Sequence, residues 1–484
     1  MASVRRSLVL SNGATFANLF ISLALVVVVS RLLNPAEIGA FLIAFAIVML
    51  VEPLREFELK SFIIVAEKLD LKTMQAVRLI AFVTAAAALI VCLAGSWILA
   101  TNYSTASPGN CLLIMCLLFA IRPFSHPAEA LLARDLRYGP MATIKITGAL
   151  VRAGVTLWLI SQGLGAEALA WGVVAEAATE LLCLAFVDKK LRFSWPSSAG
   201  ARPVWTFCFQ LTGAQLSTRA AAALEPLMIG AVQGLAMTAF YNRGNRVVRI
   251  FRSGIEQATL PIVLSQFSQA EGDRAAIKAA YLRAVSLLTG ISWPVLAVFI
   301  VLADPLIFTL FGDQWGASVG LGQILALGAI IYAASALSQQ VHAALAETAI
   351  LMKRDAGLAL LRIAVLVATA FISTAAVAWG LVAVIAISQI VHLHLLRRSI
   401  GLSYPDMGRA VWKSGLVGLI CAAVATIGLI GLGPETKPWL IVLLTGAVVA
   451  ITWLAAIGIL KHAWSDELAL VLAKLRGSRG QAVN

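Results

Sequence analysis

Charge is what this sequence has least of. Only 13% of its 484 residues are Asp, Glu, Lys or Arg, and 60% are apolar. Soluble domains carry about 25% charged and about 45–50% apolar residues. The shortage excludes a cytosolic enzyme and a disordered chain, and points to lipid as the main solvent. Cysteine is also sparse. The six cysteines all lie in apolar runs, with no CxxC pair and no zinc spacing. That excludes a secreted disulfide scaffold and leaves them as reduced, buried small hydrophobes. The five histidines form no metal motif, since His392 and His394 diverge when two apart on a helix. Neither a metal nor a cofactor is expected. Acids are fewer than bases, 24 against 37, for a net charge of +13. No basic–aromatic cluster or nucleic-acid motif lies in a soluble stretch, so nucleic acid is not the expected partner.

What the chain has is long apolar runs. At about 20 residues per crossing, fourteen stretches qualify: 9–30, 39–57, 77–100, 110–133, 141–162, 166–187, 205–230, 236–264, 281–310, 318–345, 356–375, 378–396, 411–431 and 438–460. The second and eighth are weak by hydropathy because charges interrupt them. Arg5 and Arg6 precede the first run, but the run continues to Val29 and no A-x-A site follows. This reads as a membrane helix rather than a cleaved leader. With fourteen crossings the loop cations separate, 25 on the even side against Arg31 and Lys437 on the other. The positive-inside rule then puts both termini in the cytoplasm. The tail Ser465–Leu475 reads as a short amphipathic helix, capped by Ser465 or Asp466 and ended by Gly477. Lys474, Arg476 and Arg479 would face headgroups; the alternative is a solvated end.

Ten basic residues remain at membrane depth: Arg55, Arg122, Lys145, Arg152, Arg219, Arg243, Arg246, Arg249, Arg252 and Arg362. Eight acids share that zone: Glu52, Glu56, Glu58, Glu129, Glu176, Glu180, Glu225 and Glu256. A mid-bilayer charge costs at least about 2.5–3.5 kcal/mol, so these groups must pair or line water. Several fall on shared helix faces. Arg122, His126 and Glu129 follow i, i+4, i+7, beside Pro123 and Pro127. Lys145 and Arg152 are seven apart, with Gly148 between them. Glu176 and Glu180 are four apart, as are Gln215 and Arg219. The row Arg243, Arg246, Arg249, Arg252 has period three and winds around its helix, so part of it lines a cavity or snorkels. Glu52, Arg55, Glu56 and Lys60 suit an intrahelical salt-bridge cluster. Guanidinium groups bind phosphate bidentately and stay charged when desolvated. A bundle rich in them suits an anion such as a phosphorylated lipid headgroup. Glu129, Glu176, Glu180 and Glu225 could instead pair with those cations, or titrate and couple transport to ion entry.

Stretches 1–6 and 7–12 begin at similar offsets, and an even repeat length keeps both halves in one orientation, as in transporters built from parallel repeats. Against this background SRLLNPAEIGAFLIAFAIV at Ser30–Val48, RPFSHPAEALLARDLRY at Arg122–Tyr138 and LEPLMIGAVQGLAMTAFYNRGNRV at Leu224–Val248 resemble Wzx-type polysaccharide-export flippases. These belong to the multidrug/oligosaccharidyl-lipid/polysaccharide superfamily. The most specific stretch is LIFTLFGDQWGASVGLGQILALGAII at Leu306–Ile331, with Phe-Gly-x-x-Trp after the ninth helix. Two features depart from the pattern. Glu225 stands where the family often has Asp, and LREFELKSFII at Leu54–Ile64 replaces a Gly-containing, less charged stretch.

The resemblance implies an all-α polytopic protein of fourteen transmembrane helices, with two six-helix lobes in a V and two further helices. The divisions would be 1–187 (N-lobe), 188–204 (cytoplasmic linker), 205–398 (C-lobe), 399–460 (helices 13 and 14) and 461–484 (cytoplasmic tail). It implies alternating access of an undecaprenyl-diphosphate-linked oligosaccharide across the bacterial inner membrane, in a monomer that could meet a polymerase or chain-length complex. By helix position the substrate-facing cations would be Arg122, Lys145, Arg152, Arg219 and Arg243, with Arg246, Arg249 and Arg362 added from the membrane-depth set. A drug antiporter or a lipid II-like precursor exporter of the same superfamily is the first rival. The former calls for an acid-lined cavity. A glycan polymerase or ligase is the second, but the outer loop Thr101–Asn110 carries no charge and no nucleophile–base pairing is visible.

Overall fold

In hydrocarbon each backbone N–H and C=O must be satisfied within its own segment, and the helix does this for a single apolar run. A computed structural model of the chain describes residues 2–103, 105, 107–187, 195–269, 273–345 and 347–469. Among these residues there is no strand. The chain divides into two compact units, Met1–Ala239 and Phe240–Asn484.

The first unit holds α1 (Ala2–Leu32), α2 (Pro35–Glu56), α3 (Leu59–Val65), α4 (Leu71–Asn102), α5 (Ser107–Met115), α6 (Leu117–Arg134), α7 (Tyr138–Ser161), α8 (Ala166–Val187) and α9 (Ala201–Gln233). α10 (Leu235–Gln269) starts there and runs into the second unit, followed by α11 (Arg274–Phe311), a 3-10 turn (Asp313–Trp315), α12 (Ala317–Ala333), α13 (Ser338–Ala344), α14 (Thr348–Ala370), α15 (Thr374–Ile400), α16 (Tyr404–Leu432) and α17 (Pro438–Ile459). Each of the fourteen apolar stretches lies in one helix or a broken pair. The fourth is split into α5 and α6, and the tenth into α12 and α13. Among the described residues ten segments are long and apolar enough to cross a membrane, so the chain is a multi-pass membrane protein. The second stretch is among them, because Glu52, Arg55 and Glu56 crowd into the last turns of α2. The first, seventh, eighth and eleventh, on α1, α9, the arginine-rich α10 and α14, are not.

Local chemistry sets the ends. Asn34 caps α2 by accepting from Glu37 N–H at 2.9 Å, while the Glu37 carboxylate accepts from Asn34 N–H at 2.9 Å. Pro35 fills the first helical position, where no donor is missed. Asp70 and Ser403 cap α4 and α16 likewise. α2 breaks from α3 at Phe57 and Glu58, both left-handed with φ of 43° and 47°. Such backbone costs of order 1–3 kcal/mol per residue in non-glycine positions. Thr84 of α4 donates to the Arg55 carbonyl freed there, at 2.9 Å.

In the first unit the core joins α2, α4, α5 and α8 through Phe41, Val48, Leu112, Met115 and Val173. α9, grouped by sequence with the second half, packs on α2 and α4 inside this unit. Gly39 makes one close approach possible, since a Cβ there would run into the Leu235 carbonyl. Of the expected linker, residues 188–194 lie outside the described set and 195–200 are a loop. Five cysteines are buried and Cys183 is half-buried; all six are free thiols.

In the second unit α11 is the spine, packed against α12, α15, α16 and α17. The segment after α17 is pinned to it. Trp464 Nε1 donates to the Leu287 carbonyl at 2.7 Å, and Arg283 pairs with Glu467 at 2.8 Å. His462 is buried, with Nε2 3.0 Å from Ser414 Oγ, which meets Thr289 Oγ1 at 2.9 Å. Residues 463–469 are helical. The helix therefore begins before Ser465, because His462 Nδ1 accepts from Trp464 N–H at 3.2 Å and acts as the cap. Residues 470–484, with the expected end at Gly477 and the headgroup-facing Lys474, Arg476 and Arg479, lie outside the described residues.

Two tests follow from this docking. A Cβ on Gly290 would overlap the His462 ring and come within 2.9 Å of Trp464 Cδ1. Gly290→Val should lower stability by about 1–3 kcal/mol, read as a drop in Tm in detergent. Burial, then the Lys413 charge, holds His462 below the ordinary histidine range. The unfolded imidazole gains a proton below about pH 6.5 while the folded one stays neutral. The stabilisation is therefore whole above that pH and is lost as pH falls. His462→Asn should flatten the decline of Tm between pH 7.5 and 5.5.

Candidate functional site

The charged residues predicted at membrane depth on α2, α6, α7 and α8 of the first unit form one group. Glu180 of α8 is its hub. Arg122 of α6 donates to Glu180 Oε2 at 2.8 Å, and Lys145 of α7 donates to Glu180 Oε1 at 2.8 Å. Both carboxylate oxygens are thus used, and the Glu180 side chain is only 2% exposed. Glu129 of α6 faces the same two cations at a longer range, 3.8 Å to each. One turn further along, Arg152 pairs with Glu176 at 3.2 Å. Gly148, between Lys145 and Arg152, lets α8 close on α7. A Cβ there would sit 3.2 Å from Glu180 Cγ and 3.3 Å from Glu176 Cγ.

The remaining members come from α2. Arg55 is 4% exposed and donates to Glu52 at 3.0 Å, with Glu56 at 3.5 Å. Its guanidinium also lies 3.5 Å from His126 Nε2, on the Arg122–Glu129 stripe. Lys60, expected with this cluster, is on α3 beyond the break. The group therefore sets Arg55, Arg122, Lys145 and Arg152 against Glu52, Glu56, Glu129, Glu176 and Glu180.

Exposure splits this group into two poles. On α7 the cations are the open members, Lys145 at 40% and Arg152 at 34%, over acids at 2–18%. On α2 the order reverses, with Glu52 and Glu56 at about 30% over a sealed Arg55. The α7 face is the positive one.

The second unit treats its arginines differently. Arg243 is 5% exposed, with its guanidinium 5.2 Å from the Trp315 ring and 5.8 Å from Phe311. Gly312, at φ 98°, ends α11 and turns Trp315 back beneath that arginine. The Phe-Gly-x-x-Trp stretch is thus a cation–π seat. Arg246 is half-buried and Arg249 exposed, so the row does wind around α10. Arg252 is exposed and lies over Tyr332 at 4.9 Å. Arg362 is half-buried on α14, and Glu225 is buried on α9. The side chains of Arg219, Gln215 and Glu256 lie outside the described residues.

Sequence reasoning missed the hub role of Glu180, the Arg55–His126 contact and the aromatic seat of Arg243. A signal existed for the first: a glycine on the cationic stripe of α7 marks where a neighbouring helix comes close. It also missed a buried network in the second unit, where the Glu347 carboxylate meets His342 Nδ1 at 2.9 Å and accepts from Ser399 at 2.6 Å.

Known proteins match this chain at several levels. A family described as polysaccharide biosynthesis protein matches residues 28–320, more than half of the chain. The succinoglycan biosynthesis transport protein ExoT of Rhizobium meliloti (strain 1021) is 24% identical over 324 residues, 66% of this chain and 64% of that protein. The teichuronic acid biosynthesis protein TuaB of Bacillus subtilis (strain 168) is 22% identical over 45% of this chain and 46% of its own length. The chain thus spans less than two-thirds of the length of either relative. Among solved structures, the lipid II flippase MurJ in an inward closed conformation matches with a TM-score of 0.75 over 93% of this chain and 98% of that one, at 14% identity. An inward-facing multidrug resistance MATE family transporter of the MOP superfamily matches with a TM-score of 0.61 over 79% and 94%, at 16% identity. At such identities these two likenesses speak for the fold alone. The family match carries further: this chain belongs to the polysaccharide biosynthesis protein family.

Proposed function

We propose that this protein is a flippase that moves an undecaprenyl-diphosphate-linked oligosaccharide across the bacterial inner membrane for exopolysaccharide or lipopolysaccharide synthesis. The observation that carries the reading is the positive face of α7. Lys145 and Arg152 stand open there, with Arg122 beside them, over carboxylates that are more deeply buried. The diphosphate docks on this face while the polyprenyl tail stays in lipid. Arg219, Arg243, Arg246, Arg249 and Arg362 complete the expected substrate-facing set. A charged, hydroxyl-rich head pays a large desolvation cost in hydrocarbon, so it crosses in water as the halves alternate in access.

The finer architecture belongs to the same proposal. It has fourteen crossings, two six-helix repeats with two added helices, both termini in the cytoplasm and a monomeric carrier. The transport name of the ExoT relative supports a carrier over an enzyme, and membrane lipids and a polymerase or chain-length complex are its proposed neighbours. A carrier of organic cations fits less well, because the acids of the α7–α8 face are its most buried members.

Proteoliposome flipping of a labelled lipid-linked glycan tests the docking. Arg152→Ala removes a guanidinium held by a single ion pair at an open site, so Tm should barely move, by less than about 1 kcal/mol equivalent. The flipping rate should fall at least about tenfold, the effect of losing about 1.4 kcal/mol of binding. Arg152→Lys should restore part of it. A wild-type rate in Arg152→Ala, or equal efflux of an organic cation dye by the wild type, would overturn the reading.

A further inference from the structure

Two carboxylates share two cations in the α6–α7–α8 group, and they do so unequally. Glu180 makes a 2.8 Å hydrogen bond to each of Arg122 and Lys145. Glu129 makes none, standing 3.8 Å from both, beyond hydrogen-bond reach. Its Oε1 is buried and has no hydrogen-bond partner. The side chain as a whole is 10% exposed, so water reaches its edge. Glu129 is thus the loosely held member of a closed square of charge.

We infer that Glu180 is the fixed counter-ion of this square and Glu129 the exchangeable one: an incoming phosphoryl group takes the place of Glu129 on Arg122 and Lys145, and Glu129 takes a proton from water as it is displaced. The inference rests on the docking reading above. Phosphate oxygens make short charge-assisted bonds with guanidinium and ammonium groups, which the 3.8 Å approach of Glu129 does not. Once phosphate and Glu180 both occupy the two cations, an ionised Glu129 is a third anion in a buried site. Like charge and burial then both favour its neutral form. The carboxylate gains one proton, no bond to carbon changes, and the phosphoryl group keeps its charge.

Among the described residues no ion pair of Glu129 involves a cation other than Arg122 and Lys145. Glu129 is faced by Arg122 on its own helix, by Lys145 from α7 and by Glu180 from α8. Arg152 on α7 is engaged with Glu176 of α8. His126 of α6 turns toward Arg55 and Glu56 of α2, which also carries Glu52, and Lys60 of α3 acts on His126. Headgroup binding is then linked to proton uptake at one residue.

Calorimetric titration of the full chain in detergent tests this, with a short-chain prenyl diphosphate monosaccharide as the probe. As a diphosphate diester it does not titrate near neutral pH. Run in two buffers of different ionisation enthalpy, the wild type should take up about one proton per probe bound. Its binding should weaken as pH rises from 6 to 8. Glu129→Gln, a volume-conserving change, should take up none, bind roughly tenfold more tightly at pH 7.5 and lose the pH dependence. Glu180→Gln should instead bind at least about tenfold more weakly, because the fixed partner is lost. Binding by Glu129→Gln that is weaker than wild type at unchanged Tm, or equal with the same proton uptake, would overturn the exchange and leave the docking reading in place. So would identical behaviour of the two variants. A wild type that does not bind the probe at all would overturn both.

Discussion

A charge taken out of water must find an opposite charge, an aromatic face or retained water, and this molecule is organised around that requirement. A carboxylate in a helix bundle costs several kcal/mol when alone. Glu180 is tolerable because each oxygen meets a cation from a different helix. That arrangement in turn dictates backbone. α8 must come close to α7, which needs the small residue Gly148, and α6 must present Arg122 over its prolines. The ion group is therefore a statement about where three helices sit as well as about what they bind.

The fold was largely legible. Runs of about 20 apolar residues leave few alternatives to helices, and capping sequences such as Asn34-Pro35-Ala36-Glu37 fix ends through local hydrogen bonds. Breaks were harder to see. Nothing in Leu54–Ile64 demands that Phe57 and Glu58 adopt left-handed backbone. The turn depends on Thr84, contributed by α4, to satisfy the Arg55 carbonyl. The kink of α11 at Leu302, by contrast, has a local cause, since Pro305 lacks the N–H and crowds the preceding turn.

The site was legible as a set of residues and not as a set of partners. Helical spacing put Arg122 with Glu129, Lys145 with Arg152, and Glu176 with Glu180 on common faces, because i, i+3, i+4 and i+7 relations are intrinsic to one helix. Which stripe meets which depends on helix rotation and crossing, and these are set by packing residues such as Gly148 of α7, and Gly172 of α8, where a Cβ would run into Thr156 of α7, rather than by the charges. Counting charges alone also suggested a cationic interior. The first unit instead holds a mixed group whose sign at any face is decided by exposure: positive at Lys145 and Arg152, negative at Glu52 and Glu56.

The two units meet the same cost by different means, and the difference bears on what each arginine can do. An ion pair is exchangeable, since any anion of suitable shape competes for the cation, and a second carboxylate at 3.8 Å is already close to losing that competition. A cation–π seat is less so. The rings of Phe311 and Trp315 are fully buried and fixed by the turn at Gly312, and no solute replaces them without unpacking the end of α11. The position of Arg243 is dictated there by apolar packing. Arg249 and Arg252, further along α10, are exposed. The period-three row thus runs from a buried anchor at Arg243 to exposed groups at Arg249 and Arg252, the latter over Tyr332. The Phe-Gly-x-x-Trp stretch by which the sequence resembles its family therefore has a mechanical reason in this chain. It fixes the start of an arginine ladder on a helix too polar to be held by hydrophobic burial alone.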